Sequence, residues 1–566
     1  MKMRNNFVIF SLAANFLILN CFGVTSAQDV ILQEGNALPK FQLSPRPSGE
    51  LADNRIGTIF SNFEPQDGVY SCLDRVTYLG LKRVELALHD IESPIDYSQD
   101  EFFIPSAFDD HINDALVQNG IIITYVLNFW DTANHPQGWQ GITSRFKTEE
   151  EILRYLDYVR FIVRHFKDRV QYFKIWNEPD NCGDPAQCVE VADMINLIRR
   201  TVPVIHEEYP EAKVVVGGNV FFFAQDYFFT LLNSDIMPLV DVVDWQTMPD
   251  IIAEEEWEIW RDFHSTYPSL VQEIKDTASA HGFSGEYRAS ELWWWFPQHP
   301  KLATLVFPDS AIIQVKNYTR GIVTQLGLDV TVRAIGTNYK RRIMDPAMRN
   351  FFTVMAGAAP DSLPVAIEKV PADTTDITQY GFTFQNDSDM VILWRDVEPV
   401  GNDPGVPVTI TLAGFAGRPA TGVDVLHGFE QRLITSDEGG NLVIRGLLVK
   451  DYPIIVRFAT KTATSVRSDV IEIPTKYSLH QNFPNPFNPT TQIGFDLPKQ
   501  SQVTISIFNT AGQLVRRLVN NDYEAGSHNI VWNGMGDLGK PVASGLYLYT
   551  IRASGFVRTK KMVKLK

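Results

Sequence analysis

The chain has 566 residues, more than a single hydrophobic core organises, so about two to four domains are expected. Its apolar share of 45% and charged share of 21% are those of a globular protein and exclude a disordered one. A formal charge of −17 offers no excess of phosphate-attracting groups. It argues against a nucleic-acid partner and suits a soluble protein acting on neutral ligands.

At the start of the chain, Lys2 and Arg4 precede an apolar run from Phe7 to Leu19, and Thr25-Ser26-Ala27 supplies small residues for cleavage. Residues 1–27 read as a secretory signal peptide, with an N-terminal anchor as the alternative. Cys21 lacks the small residues that usually precede a lipidated cysteine, so release after Ala27 is expected. No later segment reaches the roughly 18 uninterrupted apolar residues of a spanning helix. Export implies oxidising conditions. Cys182 and Cys188, in NCGDPAQC, are close enough to staple their loop, whereas Cys72, in VYSCLDRV, reads as a buried free thiol. No histidine stands at a zinc-site spacing from them, and the sequence calls for no metal or organic cofactor.

Residues 28–54 form an N-terminal segment, a candidate strand of a later β-sandwich. From 55 to 364, short β-branched runs alternate with amphipathic segments. The expected strands are RIGTIF, KRVELAL, IIITYVLN, VQYFKIW, AKVVVGG, VDVVDWQ, GEYRASE and DVTVRAI. Between the third and fourth lies EEEILRYLDYVRFIVRHF, where Leu153, Leu156, Val159 and Val163 recur at helical spacing. This alternation, closed by a helix near AMRNFFTVMAGA, predicts an α/β TIM (β/α)8 barrel, with a doubly wound sheet as the alternative.

From 365 to 459 the pattern becomes short alternating strands with turn signals such as Asn402-Asp403-Pro404-Gly405, which predicts an accessory all-β sandwich. Residues 460–476 are a polar linker. Residues 477–566 carry period-2 strands with Gly and Asn-Pro turns and read as a small Ig-like β-sandwich. Its NFPNPFNP entry, the glycines around Ala511 and the SGLYLYTI hairpin resemble the C-terminal sorting domain of the type IX secretion system. That resemblance implies a partnership with the type IX machinery and passage across an outer membrane, to a secreted or surface-attached state. A substrate-binding or spacer sandwich is the alternative.

The chemistry is expected at the C-terminal strand ends, where barrels of this class carry it. Glu178, in FKIWNEPDN, follows the fourth strand and Glu291 ends the seventh. These strands lie across the barrel mouth from one another. Two facing carboxyls are what glycoside hydrolysis needs, one protonated to assist the leaving oxygen and one ionised to attack the anomeric carbon. The retaining geometry requires about 5–5.5 Å between them.

WNEP after strand four and SE at the end of strand seven resemble the signature of clan A glycoside hydrolases, retaining barrel enzymes that include families 5, 30, 39 and 51. The resemblance implies Glu178 as acid/base, Glu291 as nucleophile and Asn177 as donor to the sugar hydroxyl beside the anomeric carbon. It also suggests Arg83 as the arginine that keeps the nucleophile ionised, although an ion pair with Glu85 fits Arg83 equally well. His89 and Asn128, near the ends of strands two and three, are candidate sugar ligands. Among the many tryptophans, Trp130 and Trp293 are the first candidates for stacking on a sugar ring. Trp176 is open between packing and stacking.

Strand six ends DWQTMPD, without the tyrosine many relatives carry there, and strand eight ends RAIGTN, without their tryptophan. The expected function is therefore a secreted retaining β-glycosidase or endo-glycanase acting on a polysaccharide or oligosaccharide. The alternative is a non-catalytic carbohydrate-binding or adhesin-like surface protein on a degenerate barrel.

Overall fold

The computed structural model describes residues 30–59, 72–87, 102, 104, 116–129, 144–182, 187–219, 225–246, 256–291, 308–333, 345–369, 375–460, 476–482, 485, 487, 491–523, 525–537 and 540–564. The chain divides into two compact units, of which the second comprises the C-terminal stretch Ala463–Lys566.

In the first unit, eight parallel strands close into a barrel in sequence order: β1 (Ile56–Ile59), β2 (Arg83–Ala87), β3 (Ile122–Val126), β4 (Tyr172–Ile175), β5 (Lys213–Asn219), β6 (Val242–Gln246), β7 (Glu286–Glu291) and β8 (Thr331–Arg333). The helices around them are α1 (Cys72–Leu79), α2 (Glu149–Phe166), α3 (Val191–Glu208), α4 (Gln225–Leu232), α5 (Glu256–Ala280), α6 (Pro308–Gly327) and α7 (Asp345–Val354).

Local chemistry explains α2. The Thr148 hydroxyl accepts from the Glu151 amide, three acidic residues fill the first turn, and Arg164 and His165 sit in the last, each complementing the helix dipole. Its buried stripe runs through Ile152, Tyr155, Leu156, Val159 and Val163. Leu153 departs from the expected stripe. It is 49% exposed, because the stripe starts one residue earlier, at Ile152.

Period-2 alternation sorts β4. Phe173 and Ile175 join the main core beneath the helices, while Tyr172 clusters with Val215 and Val242. The barrel lumen therefore holds Tyr172 and Lys174, the latter wholly buried.

The rest of this unit is antiparallel. A seven-stranded sheet orders Lys40–Gln42, Phe429–Arg432, Ala420–Asp424, Ile454–Phe458, Asp389–Arg395, Ile377–Thr383 and Ala359–Asp361. A four-stranded sheet orders Val365–Lys369, Val406–Leu412, Asn441–Val449 and Ser436–Glu438. The two share one hydrophobic cluster that includes Val391, Leu393, Val408, Ile410 and Ile444. Against the barrel, Lys316 on α6 pairs with Asp451 at 2.6 Å, and Arg320 donates to the carbonyls of Arg395 and Val397.

The C-terminal unit contains a three-stranded sheet (Ser478–Leu479, Thr491–Leu497, Gly526–Trp532) and a four-stranded one (Leu514–Tyr523, Ser501–Asn509, Gly545–Ala553, Phe556–Lys564). Phe487, Ile505, Trp532 and Tyr549 centre its core. Among the described residues, no helix is long and apolar enough to cross a membrane.

Candidate active site

Where β4 ends, the backbone turns sharply. Trp176 has φ +65° and Glu178 φ +49°, left-handed conformations that side-chain-bearing residues seldom adopt. The turn is held from several sides. The Trp176 indole is fully buried, donates to the Gln187 carbonyl at 2.7 Å and meets Phe146 edge-on at 5.0 Å. Trp176 is thus a packing residue. The Pro179 carbonyl accepts from the Val189 amide at 2.8 Å, and Cys182 and Cys188 form a disulfide across the loop between.

Asn177 and Glu178 emerge half-buried at the strand tip. The Lys174 ammonium donates to Asn177 Oδ1 at 3.1 Å, so the Asn177 carbonyl faces the lysine and its NH2 is the end left for a ligand. Gln246, the last residue of β6, donates from Nε2 to Glu178 Oε1 at 2.7 Å, and Asn181 donates from Nδ2 to Oε2 at 3.0 Å. Gln246 is also the register partner of Glu291 across β6 and β7. The Glu291 backbone thus lies about one strand spacing, ~4.8 Å, from a residue whose side chain touches Glu178.

Directly beneath lies a charged tier. Lys174 Nζ is 3.3 Å from Glu85 Oε1 and 3.1 Å from Asp244 Oδ2, and Arg333 at the end of β8 reaches Glu85 and the Ser290 carbonyl. Two glycines make room for it. A Cβ on Gly217 would fall 1.8 Å from the Asp244 carbonyl oxygen, and one on Gly218 would fall 2.6 Å from Lys174 Nζ. The sheet is correspondingly irregular between Gly217 and Asn219.

Arg83 requires a correction. It is the first residue of β2 and pairs with Asp53 at 2.8 Å and with Glu286, the first residue of β7, at 3.3 Å. In a parallel barrel, strand starts all face the end opposite the mouth. Arg83 therefore closes the barrel floor and neither reaches the nucleophile position nor pairs with Glu85. Asn128, just beyond β3, is buried, and its Oδ1 lacks a hydrogen-bond partner among the described residues. His89, Trp130 and Trp293 lie outside the described residues, as do the side chains of Glu291 and Cys72. Trp245 is buried and bonded to the Tyr267 hydroxyl at 3.1 Å.

Sequence reasoning did not anticipate Lys174, Asp244, Gln246 or Asn181. DWQ at the end of strand six was noticed only for the tyrosine it lacks. An amide at a strand's C-terminal end was the signal that could have found Gln246.

The fold and site define a (β/α)8-barrel protein with accessory antiparallel sheets and a C-terminal Ig-like domain. Residues 483–555 match the family described as the FlgD Ig-like domain. No curated protein sequence matches the chain. Among solved structures the chain is similar to a family 39 glycoside hydrolase from the gut symbiont Bacteroides cellulosilyticus. Identity there is 13% and the TM-score 0.51, over 74% of this chain and 83% of that one. It is also similar to a family 51 α-L-arabinofuranosidase from Bifidobacterium longum, at 11% identity and a TM-score of 0.47, over 75% and 100% of the two chains. A family 30 xylanase C from Talaromyces cellulolyticus matches at 11% identity and 0.45, over 74% and 99%. At such identities the likeness is one of fold.

Proposed function

We propose that this protein is a retaining glycoside hydrolase of the clan A type, with Glu178 as acid/base and Glu291 as nucleophile. The observation that carries the proposal is Gln246, which touches the Glu178 carboxylate while sharing register with Glu291. This contact supports a reading in which the two carboxyl-bearing strand ends serve one mouth. In the first step, a protonated Glu178 gives its proton to the glycosidic oxygen as the C–O bond breaks and the Glu291 carboxylate bonds the anomeric carbon. In the second, Glu178 takes a proton from the water that hydrolyses the ester. Asn177, its carbonyl held by Lys174, donates from its NH2 to the neighbouring sugar hydroxyl, a contact that strengthens at the transition state.

The substrate class is a β-linked polysaccharide or its oligosaccharides. The N-terminal signal and the likeness of 477–566 to type IX sorting domains support export to the cell exterior or surface. The test is turnover of β-glycans and aryl β-glycosides by wild type, Glu178→Ala and Glu291→Ala. Glu291→Ala is expected to lose turnover almost entirely. Glu178→Ala should retain activity on good leaving groups and be rescued by azide. Wild-type rates in either variant would end the two-carboxylate proposal.

A further inference from the structure

The Glu178 carboxylate is gripped on both oxygens, and by two different elements. Gln246 holds Oε1 at 2.7 Å from the end of β6, and Asn181 holds Oε2 at 3.0 Å from the loop three residues on. The first grip is rigid. The residue before Gln246, Trp245, is fully buried, and its indole is bonded to Tyr267, whose hydroxyl bonds Gln325 at 2.9 Å. The second belongs to the same turn as the carboxylate, since the Asn181 amide also donates to the Glu178 carbonyl at 3.0 Å. Two fixed points define the plane of a carboxyl group, and a proton leaves such a group in that plane.

We propose that Gln246 is the positioning residue of the acid/base step, acting with Asn181 as an amide clamp that sets the plane of the Glu178 carboxyl. The proposal rests on the reading of Glu178 as acid/base. A carboxyl oxygen accepts an amide N–H in either protonation state, so Oε1 stays on Gln246 throughout. The catalytic proton is then carried on Oε2. Asn181 donates to the in-plane lone pair that the protonated oxygen keeps, while that oxygen's proton passes to the departing glycosidic oxygen as the C–O bond breaks and the anomeric carbon bonds the nucleophile. In the second step the proton from water returns to the same atom.

Glutamine at this position also has a chemical consequence. An amide holds its donor at every working pH, so the grip does not switch off as a titrating side chain's would.

The experiment measures kcat/KM on a series of aryl glycosides of increasing leaving-group pKa, built on a sugar that the wild type hydrolyses. Gln246→Met is expected to slow the poorest leaving groups about 100-fold, since a displaced acid loses its contribution where protonation matters most. Dinitrophenyl substrates, which leave unaided, should stay within about threefold. Gln246→His, whose ring N–H can donate, should restore about tenfold on the poor leaving groups. Asn181→Ala should show the same signature, smaller, and serves as a second reading should Gln246→Met melt early. An equal loss on every leaving group, or none, in both Gln246→Met and Asn181→Ala overturns the clamp. Glu178→Ala on the same series separates the two levels. If it shows no leaving-group dependence, the acid/base reading itself fails. If it does and the clamp variants do not, only the clamp fails.

Discussion

Replacing Lys174 with methionine tests whether the charged tier under the mouth holds the barrel together. The ammonium lies 3.3 Å from Glu85, 3.1 Å from Asp244 and 3.1 Å from Asn177 Oδ1, and the side chains of Lys174 and Asp244 are wholly buried. Methionine fills nearly the same volume, so little of the cost comes from a cavity. What remains is charge. Glu85 keeps Arg333, but Asp244 keeps only the longer-range attraction of Arg288 and has no other bonded partner among the described residues. Breaking one side of such a pair costs about 3–5 kcal/mol. In a domain of this size that lowers the melting temperature on the order of 10 °C. Urea unfolding followed by tryptophan fluorescence, with unchanged m, measures it. Adding Asp244→Asn should recover about 2 kcal/mol, because an amide costs far less to bury than a lone carboxylate. A loss below about 1 kcal/mol in Lys174→Met, or no recovery in the double variant, refutes the reasoning.

Two further perturbations probe neighbouring features. Gly218→Ala puts a Cβ 2.6 Å from Lys174 Nζ and 3.0 Å from Asn177 Oδ1, at a φ of +75°. It should cost about 1–3 kcal/mol and lower the proposed glycosidase activity, and unchanged values for both would show that the lysine can move aside. Asp403 tests pH dependence. Burial raises its carboxyl, but the Gly405 and Asp451 amides and the Arg395 guanidinium outweigh this and hold it below its ordinary value of 3.8. A carboxyl depressed in the folded state stabilises above its unfolded value, and that stabilisation is lost as pH falls through the folded value. The stability gap between wild type and Asp403→Asn should therefore be full at neutral pH and narrow below about pH 4. A gap that stays constant from pH 6 to about pH 3 contradicts the assignment.

The barrel was legible because short strands, several of them Val/Ile-rich as in IITYV and KVVVGGN, alternate with stripe-bearing helices. The site was legible only where polarity broke such a run. WNEP stands out because β4 is apolar on the side that packs and then stops at Pro179. Lys174 did not stand out. One lysine in YFKIW reads as an exposed residue of an alternating strand, yet in a closed barrel the second face is a lumen, so the charge is buried and needs partners from β2 and β6. Those partners are 89 and 70 residues away in sequence, a distance no local pattern bridges. Arg83 failed for a different reason. Alternation tells which face a residue occupies, whereas its place near the start of the strand, already readable in KRVELAL, tells which end of the barrel it closes.

The lumen charges also constrain how the mouth can work. From floor to tip the cations are Arg83, Arg288, Lys174 and Arg333, and the anions are Asp53, Glu286, Glu85 and Asp244. Among the described residues they balance in number, and each tier pairs largely within itself. Burial lowers the Arg288 guanidinium from its ordinary value, the Asp244 charge partly offsets this, and the group sits 5.0 Å from the Tyr172 ring. A balanced column projects little net field upward, so the Glu178 carboxyl is governed chiefly by the amides that hold it. Uncharged donors are the suitable clamp under that constraint, because a lysine or arginine at position 246 would add the net charge that the column beneath avoids. Removing Lys174 breaks the balance at the tier nearest the site. Its replacement should then disturb the proposed glycosidase activity even where the variant remains folded, and Asp244→Asn, by restoring neutrality, should return part of that activity together with the stability.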